Sequence, residues 1–435
     1  MENKTSLFQN SVSFGKGFRK TGFKADFSEK SKVAFPKTEV LEKPQTVKPI
    51  IVKGKHNEAF VFAKALETTC ENKILQYLDH PAFEHTLVRI MPDVHLGKST
   101  VIGWTATFND LIIPSVIGLD IGCGVCACNL GRGKLVFDKL DKFVRKNVPS
   151  GQETRSSLHE KLDIVSEFVS KSLENCPLSN TSVFKNEVRR LCEKQKKRPE
   201  RIFASLGTLG GGNHFIEVDI DEERNRWLLV HSGSRVFGAY TAEYHEILAL
   251  RETDINSPIK YLSGDFANDY LADINIVQHY AAVNRALMAQ TIAEGFFDVD
   301  ICEAEYIDCV HNYIDTKACI VRKGAISAKK DEPVIIPFSM VEGVVLGRGK
   351  GNAMWNNSAP HGSGRKRNRT DARSLNLDEY RKEMKGIWSS VICKDTLEES
   401  PLVYKKPKDV LDYIGETVEV QKRLKPVYNF KAIDR

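Results

Sequence analysis

The sequence of 435 residues lacks several features that would assign it to common protein classes. It has no apolar run long enough to cross a bilayer, and its first residues, MENKTSLFQN, lack the apolar core of a secretory signal. It shows no internal repeat and no strand–helix alternation of the Rossmann type. These absences predict a cytoplasmic protein without a membrane anchor, in which cysteines stay reduced.

The charge is modest overall and unevenly placed along the chain. The net charge is +6, but residues 1–55 contain twelve Lys or Arg against five Asp or Glu. Hydrophobic residues make up 41% of the chain, which is enough for a large core. A nucleic acid partner would therefore meet local basic patches and not a field produced by the whole protein.

Residues 1–48 are predicted to form a basic N-terminal extension, with one large domain over residues 49–435. In the extension, Phe14, Phe18 and Phe23 alternate with glycines and cations, and glycines at this density oppose a stable helix. Aromatic rings and cations could stack on and neutralise single-stranded RNA. A basic tail without a binding role is the simpler interpretation, and we favour it.

The apolar patterns of the large domain predict an α+β fold. Short apolar runs broken by Gly and Pro before residue 131 indicate strands and tight loops. A charged, periodic segment at about 135–200 predicts a helical insertion. FIEVDI and WLLVHSGSR predict further strands, and a long helix is expected over about 261–295. Strand patterns return around Ile335 and Val344.

Four segments deliver potential metal ligands into loops that contain glycine or asparagine. They are GLDIGCG with Asp120 and Cys123, GGGNHFIE with His214, VHSGSR with His231, and VHNY with His311. One aspartate, one cysteine and three histidines are a ligand set for a transition metal with oxygen, sulfur and nitrogen donors. A single histidine after a strand is more often structural. The recurrence of the arrangement favours a metal site.

The ten cysteines do not indicate disulfides or a zinc ribbon. Cys123 and Cys126 form a C-x-x-C, but a ribbon would need a second pair, and VCACNLG continues as a strand instead of starting the helix of a redox motif. Alternation along that strand directs Cys126 and Cys128 to the core. The remaining cysteines are predicted to be inert packing residues: Cys70, Cys176, Cys192, Cys302, Cys309, Cys319 and Cys393.

The segment SAPHGSGRKRNR, residues 358–369, places a histidine in a glycine loop beside several cations. Neutral imidazole can attack phosphorus to form a phosphoramidate, and the cations Arg365, Lys366 and Arg367 would neutralise the transferring group. His361 could equally be a hydrogen-bonding residue of a basic RNA-binding loop. The spacing alone does not separate these interpretations.

Nine ordered blocks give the chain a clear family resemblance. They are MPDVHLGK, GLDIGCG, LGTLGGGNHFIE, HSGSR, HNY, VRKGAISA, IPFSM, HGSGR and RLKPVYNFK. From about residue 50 to the C-terminus the chain resembles RtcB-type RNA ligases, the tRNA-splicing ligases. The resemblance implies that residues 49–435 form a single catalytic domain, with mixed and antiparallel sheets around a central metal cleft flanked by helices.

The resemblance implies an RNA ligase that uses GTP and two Mn²⁺ ions. It would join an RNA 3′-phosphate or 2′,3′-cyclic phosphate to a 5′-hydroxyl. His361 would attack the α-phosphate of GTP, and the guanylyl group would pass to the RNA as RNA(3′)pp(5′)G before GMP leaves. One ion would be held by Cys123, His231 and His311, and the other by Asp120, Cys123 and His214.

Further site residues follow from the same resemblance. Asp93 and His95 would lie beside the metal centre and support its ligands. Arg235 and Arg365 would contact phosphate or RNA. The residues that would contact the nucleotide are Asn213, Glu217, Ser339, His361, Gly362, Ser363, Gly364, Arg365, Tyr404 and Lys431. The chain departs from the family pattern at Phe338, Val344 and Ser363, which bears on nucleotide choice.

Several alternatives stay open at this point. Thiolate and imidazole ligands by themselves favour zinc or cobalt, whereas the resemblance implies manganese, which we follow. A metal-dependent RNA-end phosphodiesterase or phosphatase would use the same metal ligands without His361. A non-catalytic RNA-binding homologue is the third possibility. We expect a monomer acting on tRNA or another structured RNA with broken ends, with an activating protein as an open question.

Overall fold

The computed structural model describes residues 48–172, 178 and 180–432, and these belong to a compact unit that spans Lys37–Arg435. The predicted N-terminal extension lies outside the described residues except for residue 48, as does Cys176. The boundary between extension and domain therefore stays a prediction. No helix of the described residues is long and apolar enough to cross a membrane.

The helices lie mainly in the middle of the chain. In chain order they are α1 (Thr68–Leu78), α2 (Pro114–Ile117), α3 (Phe137–Asn147), α4 (Leu162–Ser172), α5 (Thr181–Lys194), α6 (Pro199–Ala204), α7 (Arg235–Glu252), α8 (Gly264–Phe297), α9 (Arg369–Ala372), α10 (Leu377–Glu383) and α11 (Lys408–Ile414). Short 3-10 turns cover Pro81–Phe83, Ala353–Trp355, Lys394–Glu399 and Pro401–Val403. The segment predicted to be a helical insertion thus holds α3 to α6.

The strands fall before and after this helical region. They are β1 (Ile50–Lys53), β2 (Glu58–Val61), β3 (Val88–Leu96), β4 (Val101–Thr107), β5 (Gly124–Asn129), β6 (Phe215–Ile220), β7 (Arg226–Ser232), β8 (Tyr306–Val310), β9 (Asn312–Asp315), β10 (Ile320–Lys323), β11 (Ala325–Ser327), β12 (Pro333–Pro337), β13 (Val344–Gly349), β14 (Ser358–Pro360) and β15 (Val418–Lys431).

Two large sheets organise these strands. One is mixed, in the order β1-β2-β3-β4-β10-β9, with β2 and β3 parallel. The other is antiparallel, in the order β12-β13-β15-β6-β7-β5-β8. Strand β15 joins its two halves, because it pairs with β13 before the register shift at Pro426 and with β6 around and after it. The α+β class predicted from the sequence is confirmed.

Helix α8 packs on β5 and β7 of the antiparallel sheet. A helix that is apolar on every side belongs in a core, and most of its central residues, from Ile274 to Ala293, are buried. Four of the buried residues in this stretch are polar, His279, Asn284, Arg285 and Gln290, and two of them, Asn284 and Arg285, have no exposed surface. Buried polar side chains of this size need hydrogen-bond partners, so their partners identify the loops that the helix supports.

The cysteine predictions are confirmed in part. Cys126 and Cys128 lie on β5 with no exposed surface and pack in the main apolar core, as the strand alternation predicts. The prediction of inert packing is wrong for Cys302 and Cys319, which are exposed. Both follow charged or turn residues, where a short apolar neighbourhood in the sequence does not correspond to burial. No disulfide joins cysteines of the described residues.

Candidate active site

The antiparallel sheet brings the predicted metal ligands together at one edge. Neighbouring strands run in the order β6-β7-β5-β8, and His231 on β7 lies opposite both Phe215 on β6 and Val125 on β5. Because the strands are antiparallel, β6 and β5 begin where β7 and β8 end. The residues just outside these ends, His214, Cys123 and His311, therefore meet beside His231.

Helix α8 holds the loops at this edge in place. Arg285 donates to the carbonyl oxygens of Gly122 (2.6 Å) and Ser232 (2.9 Å) and pairs with Asp308. Asn284 accepts the backbone N–H of Gly207 and donates to the carbonyl of Gly233. Asn284 and Arg285 thus tie the segments before Cys123 and after His231 to one helix.

The ligand atoms form two overlapping groups that share one thiol. Cys123, His231 and His311 form one, and Asp120, Cys123 and His214 form the other, with all ligand atoms within 4.8 Å of one another in each group. The Cys123 Sγ lies 3.2 Å from the His231 Nε2 and 3.6 Å from the His214 Nε2. Asp120 Oδ2 lies 3.2 Å from the His214 Nε2.

Backbone carbonyls fix the tautomers of two of these histidines. His214 Nδ1 lies 2.8 Å from the Leu209 carbonyl, and His231 Nδ1 lies 3.2 Å from the Asn213 carbonyl. Since a carbonyl oxygen only accepts, each Nδ1 must carry the proton. The Nε2 of each ring faces the shared thiol and is the nitrogen that would bind a metal ion, which is the usual arrangement of a metal-binding histidine.

The electrostatics of the site favour neutral imidazoles at His231 and His311 and an ionised carboxylate at Asp120. Burial lowers the pKa of His231 and of His311 well below the usual histidine value, and neighbouring histidines add to the effect. Burial alone would raise the pKa of Asp120, but the hydrogen bond and charge of His214 bring it below its usual value. Burial, followed by the Asp120 charge, raises the pKa of the Cys123 thiol well above its usual value.

This arrangement fits a bound cation. The charges of Arg285 and Lys323 only partly offset the burial of the Cys123 thiol, and a metal ion bound to the sulfur would stabilise the thiolate directly. Nitrogen, sulfur and oxygen donors in groups of three leave coordination positions for further ligands. The five residues that the sequence predicted as metal ligands are thus the residues that come together here.

His361 lies next to this cluster, held by a buried carboxylate. Its ring centroid is 5.0 Å from that of His311, and its Nδ1 lies 2.6 Å from Asp93 Oδ2. Asp93 has no exposed surface and belongs to β3. The loop after His361 packs so closely on β3 that a Cβ at Gly364 (φ +70°) would lie 2.1 Å from the Asp93 carbonyl oxygen. Only glycine fits this position.

A cavity of about 930 Å³ opens beside His361. This volume lies within the range of small-molecule binding sites. Its wall includes His231 and His311 of the metal cluster, and Phe338 as well. All the residues predicted to contact the nucleotide line the cavity: Asn213, Glu217, Ser339, His361, Gly362, Ser363, Gly364, Arg365, Tyr404 and Lys431.

Several polar groups in this wall are arranged to meet a ligand. The Ser363 hydroxyl is buried and has no hydrogen-bond partner among the described residues. The Arg365 guanidinium lies over the Tyr404 ring, at 5.4 Å from its centroid. Burial lowers the pKa of Lys431, which the charges of Glu399 and Glu217 oppose. A buried ammonium and an unpaired hydroxyl suit an anionic or polar ligand.

Glu399 is a site residue that the sequence did not reveal. Its carboxylate is 2% exposed, accepts from the Tyr404 hydroxyl at 2.5 Å and from Arg365 at 3.3 Å, and lies 3.9 Å from Lys431 Nζ. It therefore holds three predicted nucleotide residues in one arrangement. In the sequence it stands in the charged run LEESP, which carries no signal of burial or of a site.

Other predicted residues lie at the margins of the site. Arg235 is not part of the cavity wall; its guanidinium donates to the Gly151 carbonyl and to the Thr208 hydroxyl. His95 lines the cavity, with Nδ1 2.9 Å from the Asp93 carbonyl. Val344 is buried in the second core cluster and does not line the cavity. The roles predicted for these residues stay predictions.

The fold and the site define a protein with a thiol-sharing metal cluster beside a polar, nucleotide-sized cavity. A model of the tRNA-splicing ligase RtcB family matches residues 76–432. The chain therefore belongs to the RtcB family, which confirms the resemblance found in the sequence.

Individual relatives agree with the family match. The chain is 30% identical to the RNA-splicing ligase RtcB of Escherichia coli K12 over 386 residues, covering 80% of this chain and 90% of the relative. It is 28% identical to the tRNA-splicing ligase RtcB of Archaeoglobus fulgidus, covering 75% of this chain and 83% of the relative. It is 26% identical to the RNA-splicing ligase RtcB homolog 1 of Entamoeba histolytica, covering 74% of this chain and 76% of the relative.

Proposed function

We propose that this protein is a GTP-dependent RNA ligase that joins RNA 3′-phosphate or 2′,3′-cyclic phosphate ends to 5′-hydroxyl ends. The observation that carries the proposal is the position of His361. It lies beside His311 of the metal cluster, lines the cavity, and has its Nδ1 engaged by Asp93. A buried carboxylate that orients one nitrogen of an imidazole leaves the other nitrogen as a nucleophile.

In the first step, His361 Nε2 attacks the α-phosphorus of GTP. An N–P bond forms, the bond from the α-phosphorus to the bridging oxygen breaks, and pyrophosphate leaves with that electron pair. The imidazole gains positive charge as the bond forms. The Asp93 carboxylate stabilises this charge through Nδ1–H, as the buried carboxylate of a catalytic triad does.

The cavity residues hold the nucleotide for this attack. The Glu217 carboxylate is an acceptor that suits the N1–H and 2-amino donors of guanine. The Arg365 guanidinium and the unpaired Ser363 hydroxyl face the phosphates, where a fixed cation and a donor neutralise and orient the transferring group. Glu399 holds Arg365 and Tyr404, so the phosphate end and the nucleoside end are positioned together.

In the later steps, the guanylyl group passes from His361 to the RNA 3′-phosphate and forms RNA(3′)pp(5′)G. The 5′-hydroxyl of the second RNA then attacks the 3′-phosphorus, and GMP leaves. A cyclic phosphate end is first opened by water to a 3′-phosphate. Arg367 and Arg369, which also line the cavity, are cations suited to the RNA backbone at its mouth.

Two divalent ions, Mn²⁺ in this proposal, would be held by the two groups of ligands that share Cys123. They would neutralise charge at the phosphate oxygens and lower the pKa of the attacking oxygen nucleophiles. The metal ligands and His361 contribute to one continuous site, since His231 and His311 line the same cavity as His361.

The two alternative functions fit the site less well. A metal-dependent phosphodiesterase or phosphatase would have no use for a histidine held by a buried aspartate beside a nucleotide-sized cavity. A non-catalytic RNA-binding homologue would not need all five metal ligands within 4.8 Å of one another in their groups. The ligase reaction uses every one of these features.

The proposal is tested by joining two RNAs with defined ends. The donor RNA carries ³²P in its 3′-phosphate, and the acceptor RNA has a 5′-hydroxyl; both are incubated with protein, Mn²⁺ and GTP. We expect a longer RNA that keeps the label in a phosphatase-resistant bond, and no product when GTP is omitted. A donor with a 3′-hydroxyl is the control and should not be joined.

The other functions give different results in this assay. Release of the labelled phosphate without a joined product would indicate a phosphatase or phosphodiesterase. A shift in RNA mobility without any chemical change would indicate a binding protein. Either outcome would overturn the proposed ligase.

A further prediction concerns Asp93, whose replacement should slow guanylylation without abolishing it. In Asp93→Asn the side chain keeps its shape but loses the charge that stabilises the imidazolium at 2.6 Å. We expect single-turnover guanylylation of His361 to slow by about 10²–10⁴-fold, by analogy with the aspartate of a catalytic triad. The measurement is the rate of label transfer from GTP at saturating nucleotide. The Mn²⁺-induced rise in Tm should persist, because Asp93 is outside both metal groups; an unaltered rate would rule out this role.

A further inference from the structure

Strand β6 places two carboxyl groups side by side on one face. Glu217 and Asp219 are two residues apart on the strand, so their side chains point the same way. Glu217 is 3% exposed and lines the cavity, whereas Asp219 has no exposed surface and lies behind it. The protein thus has a second buried carboxyl directly next to the acceptor proposed for guanine.

Asp219 has an unusual lack of partners. Neither of its carboxylate oxygens accepts a hydrogen bond from a donor among the described residues. The neighbouring polar group on the same face of β6 is the buried Glu217 carboxyl. Two neighbouring carboxyl groups taken out of water disfavour the doubly ionised state, so the pair keeps a proton. Only an O–H between the two groups satisfies Asp219.

The surroundings decide which carboxyl carries the proton. Glu217 accepts from the Asn429 amide at 2.5 Å and faces the Lys431 ammonium, both on β15. On the other side, β7 places Leu229 and Trp227 opposite Glu217 and Asp219. Burial raises the pKa of Glu217 to about 7. Burial also raises the pKa of Asp219 well above its usual value, and the charge of Glu217 adds to this effect. The ionised form is therefore favoured at Glu217 and the acid form at Asp219.

We propose that Asp219 is a protonated positioning residue that donates its O–H to Glu217 and keeps Glu217 a singly charged acceptor for a base with two adjacent N–H donors. An ionised carboxylate has about four acceptor positions. Asn429 and Asp219 occupy two of them, and two remain for the cavity. The N1–H and 2-amino edge of guanine matches this pair, whereas adenine presents an acceptor at N1. The inference rests on the proposed use of a guanine nucleotide.

A pH dependence follows from this arrangement. Guanine binds the pair only while Glu217 is ionised, and the pKa of Glu217 is raised to about 7. When the pH falls below that value, a second proton enters the pair and Glu217 loses its charge. Affinity is then present above the pKa and declines by up to about tenfold per pH unit below it. Removing the Asp219 donor would make Glu217 easier to protonate and move the decline to higher pH.

The test is equilibrium binding of GMP to the full-length, Mn²⁺-loaded protein between about pH 6 and pH 8.5, the range around neutral carboxyl titration. The variants are Asp219→Asn, which keeps an N–H donor, and Asp219→Leu, which has none. We expect Asp219→Leu to bind GMP at least about tenfold more weakly at neutral pH, the size typical of a lost hydrogen bond to a charged group. Its acidic decline should begin at higher pH, with Asp219→Asn between it and the wild type.

An infrared measurement gives an independent readout. At about pH 8.5, where Glu217 of the wild type is ionised, the wild type should keep the C=O band of a protonated carboxylic acid, and this band should be weaker in Asp219→Asn. A merely structural role for Asp219 would shift Tm without reordering the pH profiles. Three superimposable profiles, or no acid band in the wild type, would overturn the inference.

The outcomes also separate this inference from the proposed function. If the wild type prefers GMP to AMP but the variants behave like the wild type, the ligase proposal stands and the carboxyl pair has no role in recognition. If the wild type binds GMP no better than AMP, the guanine assignment of the proposed function is itself wrong.

Discussion

His361→Ala should abolish covalent labelling of the protein by GTP labelled in its α-phosphate. The variant removes the only atom that we assign to the attack on the α-phosphorus, so we expect a loss on the order of 10³-fold or more, as for other catalytic nucleophiles. The measurement is ³²P retained on the protein after denaturation, in the presence of Mn²⁺. A bond between phosphorus and a histidine nitrogen is labile in acid and stable in alkali, which distinguishes it from a phosphoester.

The matched control is His56→Ala. His56 is exposed and lies outside the cavity wall, so its loss should leave labelling intact. Label that persists in His361→Ala would place the nucleophile elsewhere. A wild type that binds metal and folds but takes up no label would favour the phosphodiesterase alternative or a different nucleotide.

The candidate metal ligands were predictable because each one carries a local signal. Asp120, Cys123, His214, His231 and His311 each stand at the end of an apolar run, beside glycine or asparagine. The sequence cannot show that these ends coincide in space. That depends on the strand order β6-β7-β5-β8, in which β5 lies between β7 and β8 although it comes first in the chain.

The residues that support the site carry no such signal. Glu399 becomes recognisable as a site residue only when the 3-10 turn at Lys394–Glu399 meets Lys431 of β15, and Asp219 only when β15 pairs with β6. Lys323 is similar, because its buried ammonium donates to the Ile117 carbonyl and favours the ionised forms of Cys123 and Asp120. Sequence patterns predict which face of a strand is buried, but not which partner a buried charge will meet.

The fold, like the site, has a part that sequence patterns predict and a part that they do not. Strand alternation and helical periodicity predicted many of the elements, including the long helix, which is observed as α8. They missed α7, and they assigned strands and loops to the segment that contains α1. They did not predict that Asn284 and Arg285, in the middle of that helix, would bind the loops beside the metal ligands. In the sequence these polar residues only interrupt the apolar pattern of the helix. In the fold they position Gly122, Ser232 and Gly233.

Cys123 is the residue on which both metal groups depend. Its Sγ belongs to both groups, whereas His311 belongs to one and His214 to the other. Replacement of a residue that only supports a metal ligand commonly costs about 10–100-fold in affinity, so loss of a shared ligand should exceed that at both positions. Loss of His311 should weaken one position and leave a second ion bound.

Cys123→Ala should therefore bind neither Mn²⁺ ion under conditions where the wild type binds two and His311→Ala binds one. Equilibrium dialysis with metal analysis gives the number of ions bound per protein. The Mn²⁺-induced rise in Tm should be largest in the wild type, smaller in His311→Ala and absent in Cys123→Ala, because a ligand stabilises only the form that binds it. RNA joining should be lost with Cys123. Cys319→Ala is the control, since that thiol is exposed and outside both groups. One tightly bound ion remaining in Cys123→Ala would mean that the thiol is not shared and that the two positions are independent.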